Sequence, residues 1–468
     1  MAARVVQSKA VAEDKQAVFG FLPQDKPGWG AMLSLGFQQV LTMFPATVLV
    51  AILTKFDIGV TLLATGLGTI VALLVSKRQI PMYYGSSFSY ITVVTTAMAL
   101  YASDCFNSTA TYCPEGVRLV QVGIIGTAIL EILVGLLIMR VGKRALDKVL
   151  PPVVTGSVAI VIGVALAGAA LGMAANNWMV AFVTMIATII FSVYLQGKGL
   201  WGMLPILFGA VVGYLLSWSL GIIDFTPVIN ADLIRIPPIT LPAFTDPRAW
   251  GAVLGIALIA IATIPESTAH LYQMSLYIDA LAKELGREPL EIKRLIGLNL
   301  VADGADDFVV GMLGGCAGTN YGENNSLMAI TRNYSVPVLF AAAFMAIALG
   351  FIGKLAGVVN TIPQAVTGGL AIYLFGVIGM QGVALIQSEK VNLFEPRNLA
   401  VASTILILGI GGNLGLANGL FPFQIPVVFP DGIPAIVFSA IVGILINLLF
   451  ILVPPSMFGV KERENINA

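Results

Sequence analysis

From Trp29 to Val453 the chain is a near-continuous succession of apolar segments, each about 20 residues long and set off by a short polar stretch. A segment that is apolar all round must be surrounded by protein or lipid, and one soluble core cannot enclose so many. The segments fall near 29–52, 58–76, 83–101, 118–140, 150–173, 177–196, 202–222, 249–273, 292–312, 316–333, 336–356, 362–386, 397–412 and 433–453, fourteen in all. Only 11% of the residues are charged and 57% are hydrophobic, against about 25% charged in soluble domains. The expected fold class is therefore an all-α polytopic membrane protein of the cell membrane. A formal net charge of zero leaves no electrostatic footprint for a nucleic-acid partner. Residues 1–28 are polar and lack the short apolar core of a cleavable signal, so the first helix is expected to stay as an anchor.

Positive charge orients the spans. With both termini cytoplasmic, 20 of the 25 lysines and arginines face inward, leaving Lys55, Arg118, Arg235, Arg248 and Lys354 outside. That is the bias the positive-inside rule requires. The same orientation puts Cys105 and Cys113 outside, in a polar loop that also carries the glycosylation triplet Asn107-Ser108-Thr109. With no histidine or further cysteine beside them they make a poor metal pair. An external loop allows a disulfide, and free thiols are the alternative.

The stretch Gly314 to Arg332, GGCAGTNYGENNSLMAITR, lies at membrane depth yet opens with poor helix formers and becomes a good helix from Asn324. Irregular backbone at that depth is tolerated only where protein buries it or it lines a cavity. A second stretch echoes it: Tyr84-Gly85-Ser86-Ser87 matches Tyr321-Gly322-Glu323-Asn324. Farther on, Pro151 followed by Val154-Thr155-Gly156-Ser157 matches Pro363 followed by Val366-Thr367-Gly368-Gly369 at the same spacing. Both matches are seven spans apart, an odd number, so the expected repeats are two inverted units of seven helices. Inverted repeats with interrupted helices at matching positions point to a midplane binding site in a secondary transporter. Two tight turns at helix starts would explain the first match but not the second.

Within the spans, acids are the informative residues, because an ionisable group at membrane depth is costly and tends to be functional. Glu323 stands at the junction of the tenth span. Glu266, in IATIPESTAH of the eighth, is followed four residues later by His270, the only histidine, on the same helix face. A Glu/His pair in a cavity can exchange a proton near neutral pH, and a structural hydrogen bond is the alternative role. One histidine alone makes no metal site, and no metal or cofactor is expected. Asp303, Asp306 and Asp307 share one side of the ninth span, where a cation, a proton path or a structural role would each suit them. Glu131 has no local partner and is expected to be structural. Gln38 and Gln39 interrupt the first span with amides that can bond neighbouring helices or reach the site. Phe88 in YGSSFSYI starts the third half-helix and can offer its N–H or its ring.

These motifs resemble the nucleobase–ascorbate transporter family, the second class of nucleobase–cation symporters, and most closely its bacterial uracil-permease branch. The resemblance runs over about residues 29–455 and rests on MFPATVLV, YGSSFSYI, Glu266 with His270, and YGEN…MAITRNYS, in family order. The family signature falls on Glu323 to Arg332, with an acid first as in the uracil branch. The resemblance implies a core domain of 29–148 and 249–360, a gate domain of 149–248 and 361–455, and short β-strands before the third and tenth half-helices. It implies cytoplasmic segments at 1–28 and 456–468, and a homodimer through the gate. By position, Glu266 and Glu323 would accept ring N–H groups, and the backbone of Phe88 and Gly322 would meet ring oxygens. Tyr321, Ser87, Asn324, Gln38 and Gln39 would lie near, and His270, Glu266 and Asp303 would serve proton coupling. Ser326 stands at the signature glycine, Gln39 where many members carry His, and Asp306, Asp307 and Pro265 are departures from the uracil branch.

The expected function is proton-coupled symport of uracil or a related nucleobase by an elevator-like alternating access, with sodium as the other coupling ion. Gly163, Gly168, Gly368 and Gly376 are expected to let core and gate slide. A purine symporter for xanthine or urate is the alternative within the class. An anion channel on the related fold would want a basic pocket, and an enzyme would want a nucleophile–base constellation; the intramembrane charges supply neither.

Overall fold

The computed structural model describes residues 20–142, 148–425, 432–454 and 457. Most of the 1–28 segment and of the 456–468 tail, with Arg4, Lys9, Lys15, Lys143, Arg144, Lys461 and Arg463, lies outside the described residues. Among the described residues seven helices are long and apolar enough to cross a membrane, or eight if one bent pair is a single span. Four shorter apolar helices accompany them.

The helices fall into two packed groups. The first holds α1 (Trp29–Thr54), α2 (Ile58–Val75), α3 (Tyr90–Tyr101) and α4 (Pro114–Val141). The second begins with α5 (Pro152–Ala165), α6 (Ala167–Ala174), α7 (Trp178–Tyr194) and α8 (Pro205–Ser219). The chain returns to the first group with α9 (Pro247–Ala257), α10 (Ala260–Glu284), α11 (Ile296–Leu313), α12 (Gly322–Thr331) and α13 (Val336–Gly350). It then completes the second with α14 (Gln364–Ser388), α15 (Pro396–Leu406) and α16 (Ala435–Leu452). Proline opens α4, α5, α8 and α15, where its missing N–H costs nothing and its fixed φ suits the first turn. Asp57 caps α2 by accepting the Val60 N–H at 2.9 Å.

The short β-strands expected before the third and tenth half-helices are present: β1 (Tyr84–Ser86) before α3, and β2 (Gly318–Asn320) before α12. Other boundaries differ from the sequence reading. The eighth span is not continuous, since α9 and α10 meet at a 44° bend. Pro265 removes an N–H from the first turns of α10 and crowds the carbonyl of Ile261, beside that bend. The thirteenth span stops as α-helix at Leu406 and continues as a π-turn over Ile407–Gly411. A second, unexpected ribbon pairs β3 (Leu420–Phe421) with β4 (Ile433–Pro434).

The glycines expected to slide have other neighbours. A Cβ on Gly163 would lie 2.4 Å from the Gly379 nitrogen, and one on Gly382 2.4 Å from the Gly156 oxygen. Gly163 therefore joins α5 to α14 inside the second group, and Gly368 packs on the backbone of Ala174 there too. Gly168 and Gly376 meet nothing within 4 Å. The loop 232–246, which ends the first expected gate segment, lies against the first group. Arg235 donates to both Asp57 oxygens at 2.7 and 2.8 Å, and Ala243 N–H to the Arg118 carbonyl at 2.9 Å. Cys105, in a short helix Ser103–Phe106, is joined to Cys113 in a disulfide, and Cys316 is a buried free thiol.

Candidate functional site

Strand β1 runs antiparallel to β2, with Tyr84 opposite Asn320, Gly85 opposite Thr319 and Ser86 opposite Gly318. Ser87 N–H donates to the Ala317 carbonyl and Tyr321 N–H to the Tyr83 carbonyl, extending the pairing at both ends. This close approach depends on glycine: a Cβ on Gly318 would sit 2.5 Å from the Gly85 oxygen. Because each strand leads directly into a half-helix, the antiparallel register places the start of α3 at one end of the ribbon and the start of α12 at the other. Gly314, closing α11 with φ 84° in the left-handed region, turns the chain into this arrangement.

Helix starts carry unpaired N–H groups and the positive end of the helix dipole. At α3, Ser87 Oγ accepts the Ser89 N–H at 3.2 Å, while Phe88 N–H meets no backbone carbonyl. Ser89 Oγ in turn donates to Glu266 Oε2 on α10 at 3.3 Å. Glu266 is close enough to interact electrostatically with His270 on its own helix and with Glu323 at the start of α12. Gly322 faces the imidazole, for a Cβ there would lie 2.9 Å from His270 Nε2. Glu266, His270, Glu323, Gly322 and Phe88 thus gather beside the ribbon, between the two helix starts, all partly exposed. Among the described residues no salt bridge involves either acid.

His270 is fixed from behind. Its Nδ1 lies 2.9 Å from the Asn320 carbonyl and 2.8 Å from Asn320 Oδ1, two acceptors that require Nδ1 to carry hydrogen. That leaves Nε2 toward Gly322, as acceptor in the neutral ring and as donor in the charged one. Asn320 Nδ2 donates to Ser267 Oγ at 2.7 Å, and Asn299 Nδ2 reaches the same oxygen at 2.7 Å. Asp303 lies behind this layer, accepting from Thr319 Oγ1 at 3.2 Å rather than facing the gathering of Glu266 and Glu323.

Tyr321, Asn324 and Gln39, also singled out in the sequence, turn away from that space. The buried Tyr321 hydroxyl donates to the Ser86 carbonyl at 2.9 Å and pairs with Thr47 Oγ1 at 2.9 Å. Asn324 Nδ2 donates to Gln39 Oε1 at 2.7 Å and to the Gln39 carbonyl at 3.0 Å, tying α12 to α1. Gln38 accepts the Thr42 hydroxyl on its backbone oxygen. These contacts position the ribbon and α12. Sequence reasoning passed over Ser89, Ser267, Asn299 and Asn320, although an amide directly before YGEN and a serine directly after Glu266 were visible signals.

A cavity of about 430 Å³ opens between the two helix groups, with Ile91 and Thr95 of α3 on one wall and Leu166, Met173 and Phe375 on the other. It does not include Glu266 or Glu323; α3 connects the two places, since Ile91 begins two residues beyond Ser89.

Residues 30–417 match a family model for xanthine and uracil permeases, described as the permease family. The uracil permease of Bacillus caldolyticus is 37% identical over 437 residues, covering 91% of this chain and 93% of that protein. The uracil permease of Escherichia coli K12 is 33% identical over 445 residues, covering 92% and 93%. Among solved structures, the transmembrane domain of the cyanobacterial bicarbonate transporter BicA aligns with a TM-score of 0.57 at 16% identity, over 83% of this chain and 98% of that domain.

Proposed function

This chain belongs to the permease family, the nucleobase–ascorbate transporters, and on that footing we propose that it carries uracil or a closely related oxopyrimidine across the membrane together with protons. The observation that carries the reading is the meeting of Glu266, His270 and Glu323 between two helix starts beside the ribbon. A planar ring with two N–H donors and two carbonyl oxygens suits two carboxylates and the unpaired N–H groups of Phe88 and Gly322. Charge-assisted hydrogen bonds to the acids would contribute about 1.5–3 kcal/mol each. The antiparallel strand–helix units support a fourteen-span fold of two inverted repeats, with the first helix group as core and the second as gate.

In this proposal the core carries the ligand past the gate, and the cavity between α3 and the α5, α6 and α14 wall is where the two bodies part. His270 Nε2, held toward Gly322 by the bonds at Nδ1, would take up the transported proton beside Glu266. The gate would also be the dimer contact. Uptake of radiolabelled uracil by vesicles containing the protein tests the reading. Loss of uptake in Glu323→Gln supports it, and unchanged uptake overturns it. A thermal-shift screen with uracil, thymine, xanthine, urate and guanine separates pyrimidine from purine. Varying pH and sodium independently during uptake identifies the coupling ion.

A further inference from the structure

On the far side of the ribbon from Glu266 lies a second set of acids that the proposed binding site does not use. Asp303, Asp306 and Asp307 of α11 and Glu131 of α4 are at most 1% exposed. Among the described residues no salt bridge reaches any of them. Each acid interacts electrostatically with at least one of the others. Around them stand Tyr83 and Tyr84 at β1, Tyr90 of α3, Thr319 of β2, and Thr263, Ser267 and Glu266 of α10. Four carboxylates so enclosed, without a cation, cannot all be ionised.

Hydrogen bonds distinguish the members. Asp307 is fully served: Gly318 N–H donates to Oδ1 at 2.7 Å and the Tyr90 hydroxyl to Oδ2 at 2.5 Å. Asp303 receives Thr319 on Oδ2 but leaves Oδ1 unmet. Neither oxygen of Asp306 has a partner. Its carboxyl lies against Gly68, where a Cβ would come within 2.0 Å of Oδ1, so no donor approaches from α2. Glu131 receives Thr263 on Oε1 at 2.5 Å and leaves Oε2 unmet. A separate, uncharged group points the same way. The Tyr84 hydroxyl is wholly buried, lacks any partner, and interacts electrostatically with Asp303, Asp306 and Glu131. The unmet oxygens of the acids call for hydrogen that their surroundings do not provide, and the Tyr84 hydroxyl, a donor in its own right, stands buried and unpaired among them. Among the described residues no three acids converge closely enough to hold a metal ion.

We propose that this cluster is a proton-binding site separate from Glu266 and His270, with Asp306 and Glu131 holding protons and Asp307 ionised. Asp307 keeps its charge because two donors replace its water, and it uses that charge to hold β2 and α3 together. Asp306 has no donor and Glu131 has only Thr263, and both are neutral acids. Asp303 stands between the two states, joined to the binding side through Thr319, Ser267 and Asn320. The protons' presence follows from the local geometry, and only their use in transport rests on the function proposed above.

Infrared spectroscopy of the full chain in lipid vesicles at neutral pH, without substrate, tests this directly. The expected wild-type spectrum contains C=O bands of protonated carboxylic acids that shift in D2O. Asp306→Asn and Glu131→Gln each remove one band and melt at the wild-type temperature, because an amide imitates a neutral acid. Asp307→Asn removes no band and lowers the melting temperature. A wild-type spectrum without protonated-acid bands overturns the proposal even if every variant fails to fold. So do bands that only Glu266→Gln or Glu323→Gln removes, or bands that vanish when sodium chloride replaces choline chloride, which would place a cation there. No substrate enters the measurement, so failure of the uracil reading leaves its outcome unchanged.

Discussion

In the first helix group several buried polar side chains bond from one element to another, whereas in the second the fully buried hydroxyls of Thr184, Thr188 and Ser217 bond carbonyls of their own helices. Tyr90 reaches α11, Tyr321 reaches β1 and α1, Asn320 reaches α10, and Asn324 reaches α1. Every fully buried acid among the described residues belongs to the first group. Backbone contact at glycine joins helices in both groups, as between Gly163 and Gly379 in the second and between Gly304 and Ala128 in the first. One body carries chemistry and needs a unique polar geometry; the other is a close-packed support. Substitutions should therefore act on uptake in the first and on stability in the second.

The largest expected effect is at the two acids of the site. Glu266→Gln or Glu323→Gln should lower initial uracil uptake roughly 10- to 100-fold, the loss of one charge-assisted bond of about 1.5–3 kcal/mol. The melting temperature should change little, because neither acid forms a salt bridge among the described residues. The converse belongs to Gly163→Val. Its side chain would collide with α14 backbone that has nowhere to go, costing about 1–3 kcal/mol of stability by overpacking. A melting temperature equal to wild type would break the contrast between the groups.

Asn320→Ala should fall between these cases. It takes one of two acceptors from the His270 Nδ1 hydrogen and a donor from Ser267, and a buried group left unmet costs about 1–3 kcal/mol. The backbone carbonyl of Asn320 still accepts from His270, so the lower end applies. Uptake should drop with an altered pH profile, since the ring loses one of the two acceptors that fix it. A uniform loss across pH would make Asn320 merely structural.

Much of this division could be anticipated from the amino acids, and the parts that could not have a common cause. YGSS and YGEN announced two irregular starts because glycine and serine are poor at opening a buried helix without help. The strands formed there, and the pairing of Gly85 with Thr319 followed. The Glu266 and His270 spacing likewise put both on one face of α10. What was hidden lay across the chain. That Tyr321 turns back to Ser86, that Asn320 rather than Glu266 holds His270, and that Gly163 meets Gly379 all depend on which helices become neighbours. Periodicity reports the face of a helix, not the identity of what covers it. The bend between α9 and α10 carries no sign in the sequence, since it falls at Leu258 and Ile259, ahead of Pro265, through which α10 continues.

Gly376 offers the smallest effect and the sharpest comparison with Gly163. Both are glycines in the second group, on α14 and α5, but a Cβ at 376 meets nothing within 4 Å. In mid-helix, glycine is less favourable than alanine by about 0.5–1 kcal/mol, through the freedom it loses on folding. Gly376→Ala should therefore raise the melting temperature slightly, where Gly163→Val lowers it. Uptake decides what the open space beside Gly376 is for. If another body passes through that space during transport, the added methyl should slow uptake at unchanged substrate affinity. If the space only faces lipid, uptake should stay at the wild-type rate, and movement between the groups would have to be sought along the cavity wall at Phe375 and Met173 instead.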